Sequence, residues 1–112
     1  MILITGARSS GKKDYAKALG YSEKDMSSDI YANCPVLYDM QDLVDPEGDN
    51  SHLLPLLLKK EVVITNEVGS GVIPVSVSER KGREAAGRLA VLIAKEAESV
   101  VRMVCGIPMM IK

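Results

Sequence analysis

Four short runs in this chain are apolar almost throughout instead of at alternate positions: Ile2-Leu3-Ile4, Pro35-Val36-Leu37-Tyr38, Val62-Val63-Ile64 and Val100-Val101-Arg102-Met103-Val104. A strand with one wet face alternates polar and apolar residues. Continuous runs therefore point to strands covered on both faces, as in a parallel sheet held between helices. The segments between them supply helices. Lys12 to Leu19 sets Tyr15, Ala16 and Leu19 on one helical face, with Gly20 as a stop. Ser51 is expected to cap a helix reaching about Lys60, or else the helix begins at Pro55. Ser78 is expected to cap a long helix over Glu79 to Ser99, with Ala86, Leu89, Ala90, Ile93 and Ala97 at i+3/i+4 spacing. Glu61 to Asn66 is the clearest strand, and Val100 to Val104 is expected to be the last. Tyr21 to Asn33 is polar and weakly patterned, which suits a loop with at most a turn of helix. The alternation predicts a three-layer α/β domain with a small, mainly parallel sheet.

The chain has 112 residues, enough for a single domain over 1–112 and too few for two ordinary ones. It contains no Phe or Trp and only four Tyr. The core must then be aliphatic, and stacking platforms for nucleic-acid bases are missing. Fourteen basic and fifteen acidic residues give a net charge of −1, without the basic excess that draws polyanions, so nucleic acid is not expected as a partner. No apolar run approaches the roughly 20 residues of a membrane span. The opening run is too short for a signal peptide, and a cytoplasmic location is expected. Cys34 and Cys105 lie beside apolar residues and are expected as buried free thiols. A domain this small buries only around two-thirds of its unfolded surface, which favours assembly into a homo-oligomer, a dimer or trimer.

Gly6-Ala7-Arg8-Ser9-Ser10-Gly11-Lys12 follows the spacing of a phosphate-binding loop, and it lies between a buried strand and a helix start. In such a loop the backbone amides converge on an oxyanion, and the lysine neutralises the outer phosphates of ATP, GTP or a simpler phosphate ligand. The alternative is a tight turn whose glycines serve geometry alone. The pattern departs at Lys13, where a Ser or Thr hydroxyl normally holds Mg²⁺. An ammonium cannot ligate a cation, so Mg²⁺ is in doubt, whereas affinity for a naked anion would be strengthened. Asp39 closes the second strand and is the candidate to hold a metal's water shell, with Asp42 a weaker substitute and a plain turn role the alternative. Asn66 and Glu67 end the third strand on the ligand side of the sheet. Glu67 would orient a ribose or a metal water, or else cap the Gly69-Ser70-Gly71 loop, whose exit Pro74 fixes. Arg80 and Arg83 lie three apart on a helix start, where they form either a phosphate clamp or ordinary surface pairs with Glu79 and Glu84.

Ile2 to Lys12 and Val62-Val63-Ile64-Thr65-Asn66-Glu67-Val68-Gly69-Ser70-Gly71-Val72-Ile73-Pro74 together resemble the adenosylcobinamide kinase / adenosylcobinamide-phosphate guanylyltransferase family. Arg80, Arg83, Glu84, Gly87 and Arg88 match the spacing of its arginine-rich helix start, and Gly106-Ile107-Pro108 to Lys112 is similar to its closing segment. Asn66-Glu67-Val68-Gly69 is the most specific of these motifs. The resemblance implies a phosphate-loop nucleotide-binding fold acting late in cobalamin synthesis. Members phosphorylate the corrinoid cobinamide and then attach GMP through a covalent histidine, so the implied ligands are ATP or GTP, Mg²⁺ and cobinamide. It would place Lys12 on the phosphates and Asp39 on the metal as the catalytic residues. The family's histidine lies between the phosphate loop and the acidic strand end. Here Lys13 to Asp39 holds no histidine and is much shorter. The only histidine, His52, lies beyond Asp39 and is expected to be a solvated residue at a helix start. The family's Asn-Gln pair in the long helix is replaced by Ala90-Val91. The expectation is a shortened, divergent relative that keeps the fold and the anion loop without the full two-step chemistry, or a non-catalytic nucleotide-binding module that regulates or scaffolds a partner.

Overall fold

Six strands form one sheet in the order β2-β3-β4-β1-β5-β6 in the computed structural model, which describes residues 1–67 and 76–112. The strands are β1 (Ile2–Gly6), β2 (Met26–Ser27), β3 (Val36–Leu37), β4 (Val62–Asn66), β5 (Ser99–Val104) and β6 (Ile107–Met110). The helices are α1 (Lys12–Ala18), α2 (Leu53–Leu58) and α3 (Val77–Glu96). β1 lies between β4 and β5 and runs parallel to both, with Gly6 opposite Asn66 on one side and Met103 on the other. Among the described residues only β6 runs antiparallel to its neighbour, β5. The expected α/β fold with a small, mainly parallel sheet is the one found.

Period-2 geometry explains the continuous apolar runs, because successive side chains enter opposite cores. Ile4, Val36, Ile64, Val101 and Met103 pack with Ala16 of α1 on one face. Leu3, Leu37, Val63 and Val100 pack on the other with Leu53 and Leu57 of α2, Leu89 and Ile93 of α3, and Ala97 just after α3. Both faces are covered, which gives the expected three layers.

Several boundaries differ from expectation. α3 is capped by Ser76, whose Oγ accepts the Glu79 amide at 3.0 Å, and not by Ser78; the helix ends at Glu96 because Ser99 already belongs to β5. Ser76-Val77-Ser78-Glu79 has the capping-box order, whereas three residues past Ser78 stands Lys81. Ser76→Ala is expected to cost about 1 kcal/mol in a urea melt, and Ser78→Ala much less. α2 begins at Leu53, after His52, because Ser51 is held in a turn by Asp49 Oδ1 (2.9 Å); Pro55 sits in the first turn, where no intrahelical amide is needed. Within the Tyr21 to Asn33 segment the two-residue strand β2 joins the sheet edge. β6, a further strand after β5, follows a two-residue turn in which Cys105 (φ 51°) and Gly106 (φ 77°) both adopt the left-handed backbone of a tight hairpin. Cys34 and Cys105 are free thiols, but not buried as expected: Cys34 is half-buried and Cys105, in the exposed hairpin turn, is open to solvent.

Candidate functional site

β1 ends at Gly6, and the chain then curls back on itself before α1. Ser9 (φ 60°) and Gly11 (φ 93°) supply the left-handed positions that make the curl, and the Ser10 amide closes it onto Ala7 O at 3.2 Å. The β5–β6 turn supports it from outside: the Gly106 amide donates to Ser10 O at 3.0 Å, and a Cβ on Gly11 would sit 3.3 Å from Gly106 Cα. Lys12 is only 8% exposed, and its ammonium turns back inside the curl to donate to Gly6 O (3.2 Å) and Ala7 O (2.7 Å). The backbone amides of Arg8, Ser9, Gly11, Lys12 and Lys13 have no acceptor among the described residues. Ser10 Oγ is buried without a partner among them. The loop thus presents donors and an ammonium with few protein acceptors, the composition an oxyanion requires.

The loop forms one wall of a cleft of about 680 Å³. The other wall comes from the carboxyl ends of β3 and β4, through Tyr38, Asp39, Gln41, Asp42 and Asn66. Asp39 takes a left-handed backbone (φ 54°) as the chain leaves β3 and enters a short 3-10 turn, Met40–Leu43. Gln41 ties the two strand ends together: its Oε1 accepts the Asn66 amide at 3.0 Å, and its Nε2 reaches Asp39 Oδ1 at 3.4 Å. Gln41 is a cleft residue that no local sequence pattern marks. Lys13 crosses the cleft, with its ammonium 3.6 Å from the centroid of the Tyr38 ring.

Burial pushes the Lys12 ammonium below its ordinary pKa, while the carboxylates of Asp39 and Glu67 pull it partly back up. The folded chain therefore holds this proton less tightly than the unfolded chain. Below the lowered folded value the charged lysine costs stability. That cost is relieved as pH rises through the folded value towards the unfolded one, so stability gains from this group on the alkaline side. Lys12→Met is expected to flatten that rise in urea melts taken at increasing pH, whereas an unchanged slope would remove Lys12 as its source.

Glu67 follows β4, and its amide donates to Gly6 O at 2.9 Å. Its carboxylate is gripped by Arg102 of β5: Nε bonds Oε1, and Nη2 reaches Oε2 at 3.2 Å. This forked ion pair spans β1, and the sequence reading missed Arg102. Residues 68–74 of the expected ligand loop lie outside the described residues. Arg80 and Arg83 are not among the residues lining the cleft. Arg80 is exposed and Arg83 half-buried, while Lys81 between them pairs with Glu47 at 3.2 Å. His52 is exposed, with Nδ1 3.2 Å from Asp49 O, as expected of a solvated residue at a helix start. No helix among the described residues is long and apolar enough to cross a membrane.

A parallel sheet between helices, opening with strand, glycine loop and helix, defines a small α/β domain of the phosphate-loop-like class. The family model for cobinamide kinase / cobinamide phosphate guanyltransferase matches residues 48–111. The chain belongs to that family and is related to the kinases and transferases of cobalamin biosynthesis that use nucleotides. The match takes in α2, β4, α3 and the β5–β6 hairpin, and it leaves the Gly6 to Lys12 loop and Asp39 outside. A search of curated proteins finds no match.

Proposed function

We propose that the chain binds a nucleotide, ATP or GTP, by its phosphates at Gly6, Ala7, Arg8, Ser9, Ser10, Gly11, Lys12 and Lys13, as one nucleotide-binding unit over residues 1–112. The observation that carries this reading is the buried Lys12 ammonium inside a curl whose amides have no acceptor among the described residues, at the carboxyl end of the central strand. In an α/β sheet that is where ligands gather. An incoming phosphate would take over the ammonium that now rests on Gly6 O and Ala7 O. Asp39 and Asn66, on the opposite wall, would face the nucleotide. Arg102 holds the Glu67 carboxylate beside β1, where it acts electrostatically on Lys12.

Family membership supports cobinamide as a second ligand, with the chain acting as a homo-oligomer in the cytoplasm. Guanylyl transfer through histidine is not part of the reading, because no histidine lies between Lys13 and Asp39. That absence favours a second reading, a non-catalytic nucleotide-binding module that regulates or scaffolds a partner.

Thermal unfolding with and without ATP or GTP tests the reading. Stabilisation should follow RT ln(1 + [L]/Kd) and disappear in Lys12→Ala. Equal stabilisation of the variant would place the nucleotide elsewhere. Turnover of ATP or GTP with cobinamide by folded protein separates the two readings: turnover makes the chain a transferase, and binding without turnover makes it a module.

A further inference from the structure

We propose that Lys13 takes the place of the divalent cation at this site, so that the cleft accepts a nucleoside polyphosphate without a metal. This rests on the loop being the phosphate site. In phosphate loops the residue after the lysine offers a hydroxyl to Mg²⁺, and the cation bridges from the phosphates towards a carboxylate on a neighbouring strand. Here that residue is Lys13, which has donors only and ligates nothing. With an ammonium in place of that hydroxyl, the loop offers Mg²⁺ no protein ligand there, and the donor set does not suit the ion.

The geometry gives the ammonium the cation's position instead. Lys13 starts from α1, on the loop side of the cleft, and ends on the ring of Tyr38, which with Asp39 directly follows β3. It spans the same two walls that a bridging metal would span. Asp39 is exposed there and would repel a naked phosphate chain unless a positive charge stood nearby. Tyr38 holds the ammonium by its π face, which fixes a flexible side chain without neutralising it. Lys13 forms no ion pair among the described residues, so its charge stays available. The ring covers one side of the ammonium and leaves N–H donors for phosphate oxygens.

Calorimetric titration of GTP and ATP, in EDTA and in Mg²⁺, tests this on the wild type, Lys13→Ser, Tyr38→Leu and Asp39→Asn. Lys13 is exposed, so its substitution leaves the core intact, and a thermal melt of each variant checks folding. The wild type should bind in EDTA, with little gain on adding Mg²⁺. Lys13→Ser should lose about tenfold in EDTA, the scale of one charge-assisted bond, and should then gain affinity with Mg²⁺. Tyr38→Leu should lose part of that factor, and Asp39→Asn should bind the metal-free nucleotide as well as or better than the wild type. Wild-type binding that requires Mg²⁺, or Lys13→Ser with unchanged EDTA affinity, would overturn the proposal. If Lys12→Ala abolishes binding and Lys13→Ser leaves it unaltered, the phosphate loop stands and only the role of Lys13 falls. If the wild type binds in neither buffer, both fall together.

Discussion

Replacing Gly6 by alanine is expected to lower stability by about 3 kcal/mol, the upper part of the usual range for forcing an atom into a filled site. A Cβ at this position would lie 2.5 Å from Ser10 Oγ and 2.8 Å from Met103 O. The serine hydroxyl can rotate away. The Met103 carbonyl belongs to the backbone of β5, directly opposite Gly6 across the β1–β5 ladder, and it can withdraw only if the strands part. Adding Ser10→Ala to Gly6→Ala should therefore recover only a small part of the loss. The same strain would shift Gly6 O, which now accepts from the Lys12 ammonium, so nucleotide stabilisation should weaken along with the fold. Urea melts of the single and double variants measure both effects. A loss below about 0.5 kcal/mol for Gly6→Ala would mean that the loop and β5 do not approach this closely.

The second large effect is expected in the core beneath α3. Ile93 is fully buried there, packed with Leu89 of α3, with Ala97 just after it, and with Leu3, Val63 and Val100 of the sheet. Ile93→Ala should cost about 3–4 kcal/mol, the transfer energy of the lost methyls plus that of the remaining cavity. The cavity closes poorly, because within one turn of Ile93 the buried residues are Ala97, which has no length to lend, and Leu89, which is already packed in the same cluster. A chain without Phe or Trp also has no large ring to swing into the gap. Small domains have only about 5–15 kcal/mol in total, so the midpoint of thermal unfolding should fall by roughly 10–20 °C. Leu92, one residue earlier and 40% exposed, is the control, and Leu92→Ala should stay within about 1 kcal/mol. Equal losses at 92 and 93 would contradict the facing assigned to α3.

The two-sided burial of the sheet could be read in advance because Leu3 and Ile4, or Val63 and Ile64, are apolar neighbours, and only a sheet with two cores accepts both. The cleft was half legible. Strand ends followed by a glycine loop, an acid and Asn-Glu marked its walls, since the ends of parallel strands share one edge. Gln41 carried no signal, because its use depends on the Asn66 amide arriving from β4. The Glu67–Arg102 pair was hidden for a related reason. Its partners are 35 residues apart and meet only because β4 and β5 both pair with β1, a strand order that local pattern does not contain. β2 is too short to show periodicity. β6 is exposed at every position, and its turn uses Cys105-Gly106 in place of an Asn-Gly pair. Arg80 and Arg83 followed the family's spacing, yet the helix start that carries them does not line the cleft.

The most direct measurement is a two-dimensional NMR titration of the ¹⁵N-labelled chain with GTP, read amide by amide. The predicted result is saturable shifts concentrated at Arg8, Ser9, Gly11, Lys12 and Lys13, with smaller ones at Asp39 and Asn66 and none in Lys12→Ala. Shifts centred elsewhere, or loop amides unmoved at saturation, would contradict a phosphate held by this curl.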